Sequence, residues 1–428
     1  MITSEEIRKL FCDFFSKRGH KIIPSSSLIP TNDPSVLLTT AGMQQFKNYF
    51  VQKQDPLADF GSFRVSSIQK CFRTTDIDEI GDERHLTFFE MLGNFSFGPV
   101  VNDDPNDFSN KGYFKQAAIT WAFDFIHREL KLPIDYVTVF EGDSDIPFDN
   151  ESYDIWRKIG FDDQQIKKAG RDDNFWGPTG EEGPCGPTTE IYIDNIEVWN
   201  LVFNEYYQHR NKKFEKLKMP GVDTGMGLER LVKVIQKAPT VFDTDLFSSL
   251  KSILAEYFDL DNNIKRARIV MDHIRSSVFL IGDGLYPSNL ERGYILRRIL
   301  RRLTLNLKFL HFPLNDVEKL IKAVLDKYNN IYSELKNFDK IKSVIYNEMT
   351  SFEKTLTTGL RQFNKIIKGN EDEVALGEKI FYLYTSYGLP LDIAKDLLSD
   401  LKISWTENSQ AIFNNLFDKH KLISKGNE

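Results

Sequence analysis

The sequence predicts an α+β domain over residues 1–238 followed by a mainly α-helical domain over residues 239–428. Three observations predict it. Up to about residue 235, short strand-like runs such as Ile191-Tyr192-Ile193 and Val198-Trp199-Asn200-Leu201-Val202-Phe203 alternate with amphipathic helices and Gly/Pro turns. From about residue 240, Gly and Pro thin out while Leu, Ile, Lys and Asn accumulate. In that part Asp316–Tyr332 and Phe338–Ile367 hold a 3.6-residue apolar period. A chain of 428 residues has room for two or three domains, and 41% apolar residues suffice to bury their cores.

The opening helix is the clearest element. Ser4 is the expected cap, Glu5 and Glu6 occupy the first turn, Ile7, Leu10, Phe11, Phe14 and Phe15 form one stripe, and Gly19 stops it. A second element runs from Lys70-Cys71-Phe72-Arg73 through a short loop to His85-Leu86-Thr87-Phe88-Phe89-Glu90-Met91-Leu92-Gly93-Asn94. It reads as a β-hairpin whose first arm presents a guanidinium and whose second presents an aromatic face. A planar donor fork can bridge a phosphate and a carboxylate, and a ring can stack on adenine, so the pair suits a nucleotide. A surface arginine beside a core ring fits the same residues. A third element, Val222-Asp223-Thr224-Gly225-Met226-Gly227-Leu228-Glu229-Arg230, passes from a strand through two glycines into a helix with Leu228, Leu231, Val232 and Ile235 on one face. Its glycines let backbone approach a ligand, and Arg230 can reach an anion. It is not a dinucleotide fingerprint, because Arg230 stands where the third glycine belongs, and the chain has no Gly-Lys-Ser/Thr phosphate loop.

The net charge of −7 excludes a uniformly basic nucleic-acid coat, yet between Ile264 and Lys308 ten basic residues stand against three acidic ones. Arg297, Arg298, Arg301 and Arg302 fall on one helical face, and with no acids facing them they would repel one another unless an anion such as a phosphate backbone is present. A merely solvated face is the alternative. Cys12, Cys71 and Cys185 are too few and scattered for a disulfide framework or a zinc site, which points to a reducing compartment. The acidic N-terminus is unlike a signal peptide and no apolar run is long enough to span a membrane, so a soluble cytoplasmic protein without membrane partners is expected. Neither a solenoid period nor a long low-complexity tract is present.

The hairpin with Arg73 resembles motif 2, and Gly225-Met226-Gly227-Leu228-Glu229-Arg230 resembles motif 3, of the class II aminoacyl-tRNA synthetases. Within that class the chain resembles the alanyl-tRNA synthetases up to about Pro390. The matching strings include Ser25-Ser26-Ser27-Leu28, Asn32-Asp33-Pro34, Thr40-Ala41-Gly42-Met43, Gly183-Pro184-Cys185-Gly186-Pro187, Asp272-His273-Ile274-Arg275-Ser276 and Arg292-Gly293-Tyr294-Ile295-Leu296-Arg297-Arg298. The resemblance implies a class II antiparallel β-sheet with flanking helices in a catalytic domain, then a helical domain that recognises the tRNA acceptor stem. It implies activation of alanine with ATP and transfer to tRNA(Ala). Arg73, Arg230 and Asp223 would be the catalytic residues. Arg73 would hold the α-phosphate and the alanine carboxylate, Arg230 would lie over adenine opposite Phe89 and meet the γ-phosphate, and Met43, His85 and Gly227 would lie near the nucleotide. Glu197 and Asn200 would offer oxygen ligands for Mg2+ carried on ATP. Asp223 would pair with the alanine ammonium, with Trp176, Val202 and Gly225 shaping a pocket for one methyl group. Asn289, Arg292, Arg297, Arg298, Arg301, Arg302 and Thr385 would contact tRNA, with Asn289 reading a G·U wobble pair at the third position in the wide minor groove.

On residue type alone, Trp176 and Val202 suit core packing more often than a pocket wall, Glu197 can be a solvated strand residue, and Cys185 and His273 suit a buried thiol and imidazole better than metal ligands. The chain departs from the family in three places. The motif 2 loop is short, Thr385 replaces the aspartate that partners the asparagine at the wobble pair, and the chain ends before an editing domain. No His-x-x-x-His occurs, so no zinc, no editing activity and some seryl-tRNA product are expected, together with a monomeric state. The rival functions are a non-catalytic synthetase-like tRNA-binding protein and a free-standing editing hydrolase.

Overall fold

The computed structural model describes residues 2–30, 36–178 and 180–425, and the chain divides into two compact units, Met1–Ser252 and Ile253–Glu428. The Asn32-Asp33-Pro34 string and the final Gly426-Asn427-Glu428 lie outside the described residues.

The first unit is built on nine strands: β1 (Lys21–Ile23), β2 (Arg64–Phe72), β3 (Phe88–Ser96), β4 (Tyr136–Phe140), β5 (Ile166–Ala169), β6 (Phe175–Trp176), β7 (Gly183–Ile193), β8 (Ile196–Gln208) and β9 (Phe214–Gly227). Their order is β1-β2-β3-β9-β8-β7-β4-β5, with β6 paired to β7 beside that path. The six central strands are antiparallel, but β1 pairs parallel with β2 and β4 pairs parallel with β5. The sheet is therefore mixed rather than antiparallel throughout. Parallel neighbours need a crossover, and the helix Asn150–Ile159 supplies one between β4 and β5.

Successive side chains on a strand point to opposite faces, and β8 uses both. Trp199, Leu201 and Phe203 are fully buried on the face that packs against the opening helix, Ser4–Ser16. There the ring of Phe11 lies 5.4 Å from Phe125 and 6.0 Å from Trp199. Burying each such ring stabilises the unit by roughly 1.5–3 kcal/mol, which explains the Phe-rich stripe. The cap of this helix is Thr3 and not Ser4. Thr3 has Glu6 three residues on and forms a reciprocal capping box with it, the Thr3 N–H donating to Glu6 Oε2 at 2.7 Å. Ser4 Oγ instead donates to Asp245 at 2.9 Å.

The second unit is helical, with long helices at Ile264–Gly282, Glu291–Phe309, Val317–Tyr328, Phe338–Ile366, Glu373–Tyr387, Leu391–Asp400 and Glu407–Lys425. Phe338–Ile366 buries Ile341, Ile345, Met349, Phe352, Leu356 and Phe363, spaced three, four or seven apart so that they share one stripe. Phe352, Leu356 and Phe363 meet Leu376, Ile380, Leu383, Ile393 and Leu398 in a common core. Among the described residues no helix is long and apolar enough to cross a membrane.

Candidate active site

Strand register brings the candidate residues of the first unit together. Glu190 on β7 faces Asn200 on β8, which faces Gly225 on β9; one row along, Thr188, Val202 and Asp223 line up in the same way. The two-residue period places Asn200 and Val202, and likewise Asp223, Gly225 and Gly227, on one face, opposite to that of Trp199. From the neighbouring hairpin come Phe89, paired with Cys71, and Met91 two residues on. Arg73 follows β2 directly, its backbone N–H donating to Thr87 O at 2.9 Å.

Two adjoining cavities open on this face. The larger, about 250 Å³, is lined by Trp176, Thr188, Glu190, Asn200, Val202 and Asp223 among others. The smaller, about 100 Å³, is lined by His85, Phe89, Gly227 and Arg230 among others. Arg73, Met91, Glu197 and Gly225 line both, so they form the shared wall. Met43 is absent from the described lining of either cavity. It is buried in an aromatic cluster with Phe46, Phe95 and Phe97.

Arg73, Arg84 and Arg230 line the smaller cavity beside Asp76, Glu197 and Glu229, while Arg73 is the one cation against Asp172, Asp173, Glu190, Glu197 and Asp223 in the described lining of the larger. The Arg73 guanidinium lies 4.9 Å from the Phe89 ring centroid, a cation–π contact that orients both. Arg230 Nη1 donates to Glu197 Oε2 at 2.7 Å and to the Glu197 carbonyl at 3.2 Å. His85 Nδ1 is 2.6 Å from Asp82 Oδ2. Asp223 is only 7% exposed, and burial pushes its carboxyl up to about 7. Glu190 is likewise pushed up to about 7, by burial and by the charge of Glu197. Trp176 Nε1 and Asn200 Oδ1 are buried and have no hydrogen-bond partner among the described residues. A Cβ on Gly225 would come 2.9 Å from Met91 Sδ, so glycine is what the shared wall accommodates there.

Glu190 escapes a motif-by-motif reading, and Met91, inside the hairpin string, is given no role by it. The available signal is weak: Glu190 is a lone acid opening the apolar run Ile191-Tyr192-Ile193, which only strand pairing turns into a site residue.

No group of three or more His, Cys, Asp or Glu residues is placed to hold a metal ion among the described residues. Cys185 is buried with its thiol pushed up to about 11 by burial, and Sγ donates to the Tyr206 carbonyl at 3.6 Å. His273 is buried, its Nδ1 2.9 Å from Asp272 Oδ2, and burial pushes the imidazole down and keeps it neutral.

In the second unit the arginine-bearing helix Glu291–Phe309 overturns the expectation of a face without acids. Glu348 lies 3.0 Å from Arg297 and 3.4 Å from Arg301, Asp392 lies 3.6 Å from Arg298, and Asp396 grips Arg302 at 2.7 and 3.2 Å. These acids come from later helices, which is why local charge counting missed them. Arg302 is itself buried at 2% exposure. Asn289 and Thr385 are exposed and Arg292 is half-buried. Asn289 Oδ1 accepts from Arg297, and Thr385 Oγ1 donates to the Phe381 carbonyl at 3.0 Å.

The family described as tRNA synthetases class II (A) matches residues 6–421 of this chain. The chain is 40% identical to an alanine–tRNA ligase of Rubrobacter xylanophilus, over 94% of this chain and 48% of that relative. It is 38% identical to one of Caldicellulosiruptor saccharolyticus, over 98% and 48%. It is 37% identical to one of Borrelia hermsii, over 98% and 73%. The chain thus spans about half the length of the first two relatives.

Proposed function

The chain belongs to the class II tRNA synthetases (A), and from that premise we propose that it activates alanine with ATP and transfers the alanyl group to the 3′ end of tRNA(Ala). The observation that carries this reading is the shared wall. Arg73 borders both cavities, so one guanidinium can hold the alanine carboxylate and the α-phosphate while the carboxylate oxygen attacks phosphorus and pyrophosphate leaves. A terminal hydroxyl of the tRNA then attacks the carbonyl carbon, and AMP departs.

In the smaller cavity Phe89 and Arg230 would take the two faces of adenine, with Arg230 also meeting the γ-phosphate and Gly227 and His85 beside it. In the larger, Asp223 would pair with the ammonium, while Trp176, Val202 and Gly225 close around one methyl group. Such an apolar pocket rejects an added hydroxyl by only about a hundredfold, so serine is the expected side substrate.

Mg2+ on ATP fits this donor set. Glu197 offers a carboxylate, and Asn200 offers an amide oxygen without a partner among the described residues. When bound, the ion would neutralise phosphate charge. Residues 239–428 would recognise the acceptor stem through Asn289, Arg292, Arg297, Arg298, Arg301 and Thr385, and the protein would work in the cytoplasm with the translation machinery. The three stripe arginines that are not fully buried are the ones placed to exchange their acid partners for phosphates.

The test is alanine-dependent ATP–pyrophosphate exchange, followed by charging of two matched tRNA(Ala) transcripts carrying G·U or G·C at the third pair. Alanine-dependent exchange with preferential charging of the G·U transcript is expected. Absence of exchange would favour the tRNA-binding protein instead, and equal charging would move the readout away from Asn289.

A further inference from the structure

The strand β7 carries a buried acid to which no role has yet been assigned. Glu190 is 6% exposed, lines the larger cavity and has both carboxylate oxygens engaged. Oε1 accepts from Asn200 Nδ2 at 3.2 Å, and Oε2 accepts from Tyr192 Oη at 2.8 Å and Thr138 Oγ1 at 3.4 Å. When ionised, Glu190 only accepts, so it draws the NH2 end of the Asn200 carboxamide towards itself; the flipped amide would then set Oδ1 against a carboxylate oxygen. The oxygen end of Asn200 is consequently the one left without a partner among the described residues. Burying an unpaired amide oxygen is unfavourable unless something else supplies the missing positive charge or donor.

The same acid is tied to a second wall of the cavity. Thr138 Oγ1, which donates to Glu190, accepts from Asn174 Nδ2 at 2.8 Å, and Asn174 also donates to the Thr188 carbonyl at 3.1 Å. Asn174 stands two residues before Trp176, so one hydrogen-bonded chain runs from Asn200 through Glu190 and Thr138 to the segment bearing the indole.

We propose that Glu190 is a positioning residue, which orients the Asn200 carboxamide so that its oxygen receives a cation in the larger cavity. The cation is the ammonium of the bound amino acid or the divalent ion carried with the nucleotide; both ask the same of the oxygen. Asp223, on the strand next to Asn200, makes the ammonium the nearer candidate. The proposal rests on the reading of this cavity as the amino-acid compartment.

The experiment uses the full chain with Glu190→Gln, Glu190→Asp and Glu190→Ala. Alanine affinity is measured by calorimetry without ATP or metal, and the Mg2+ dependence of ATP–pyrophosphate exchange is measured separately. Glutamine keeps an acceptor for Asn200, so its alanine Kd should stay within about threefold of the wild type. Alanine removes the acceptor and aspartate withdraws it by one methylene, and both should weaken alanine about tenfold or more, as expected for losing a charge-assisted contact, with ATP affinity unchanged. A shift in Mg2+ dependence with unchanged alanine Kd would also support the proposal and would identify the cation as the metal. Should Glu190→Ala fail to unfold cooperatively, the charge-preserving Glu190→Asp decides. Wild-type alanine binding and Mg2+ response in Glu190→Asp would overturn the inference. A wild-type chain that binds no alanine would instead overturn the functional reading, before any variant is consulted.

Discussion

Arg230, from the helix that follows β9, is ion-paired with Glu197 on the adjacent strand β8, Nη1 to Oε2 at 2.7 Å, so that a residue of the smaller cavity is tied to one of the shared wall. Both side chains are about a third exposed, 38% and 33%, so water screens the pair and it adds little to stability. On the proposed reading its value would be in holding the guanidinium in place before a nucleotide arrives. Glu197→Ala should therefore leave Tm within about a degree or two while lowering exchange about 10- to 100-fold, because it removes both an oxygen ligand and the tether on Arg230. A variant that loses stability and activity in parallel would contradict this division.

The glycines of the strand-to-helix turn should behave unequally. A Cβ on Gly225 meets Met91 Sδ at 2.9 Å, whereas one on Gly227 meets nothing closer than Arg230 Cδ at 3.8 Å. Gly225→Ala should push Met91 into the shared wall and raise the KM for alanine about tenfold or more, with Gly227→Ala affecting it less. Steady-state exchange kinetics with alanine varied at saturating ATP would separate the two.

Asp223 sets a pH dependence. Burial holds its carboxyl near 7 in the folded protein against 3.8 as the ordinary value. Only the ionised form pairs with an ammonium, so alanine affinity should rise about tenfold per pH unit below 7 and level off above it, with proton uptake by buffer on binding at pH 6. The stability consequence has the opposite sense. The folded state keeps its proton to higher pH than the unfolded chain, so this group's favourable contribution is complete below about pH 4 and disappears as pH rises through 7. Asp223→Asn should accordingly raise Tm more at pH 8 than at pH 5 while abolishing alanine binding; an equal rise at both would show that the native carboxyl titrates normally.

Arg302 should prove structural in a helix otherwise proposed to meet RNA. Its side chain is 3% exposed, gripped by Asp396 and 3.4 Å from His273 Nε2. Arg302→Ala leaves that environment with an uncompensated acid and should cost about 3–5 kcal/mol in chemical denaturation. Arg297→Ala leaves Glu348 still paired with Arg301 at 3.4 Å, so it should cost less and instead weaken tRNA binding and its salt dependence.

Features carried by local spacing were legible in the sequence. The opening helix, the hairpin with Arg73 and Phe89, and the turn from Asp223 to Arg230 each announce themselves within a dozen or so residues, and each is present. What escaped depends on chain segments far apart. Glu190 enters the cavity only because β7 pairs with β8, and the arginine stripe is balanced by acids at 348, 392 and 396 that no window around 297–302 contains. The parallel edge of β1 was missed because three residues, Lys21–Ile23, are too short to show an alternation. The cap slipped by one position because Thr3 and Ser4 are both good caps, and only the distance to Glu6 separates them.

On β8, Trp199 belongs to the aromatic core beneath the opening helix while Asn200 and Val202 belong to the larger cavity on the other face. Interior and pocket are therefore written on alternate letters of one strand. Any lineage that widened the pocket by moving β8 would also loosen the packing that holds the opening helix, whereas side-chain exchange at 202 alone would not. Selection for a different occupant of the larger cavity is thus channelled towards single-residue substitutions within a fixed backbone, and away from insertions in β8, where a one-residue slip would turn the indole into the pocket and bury the amide.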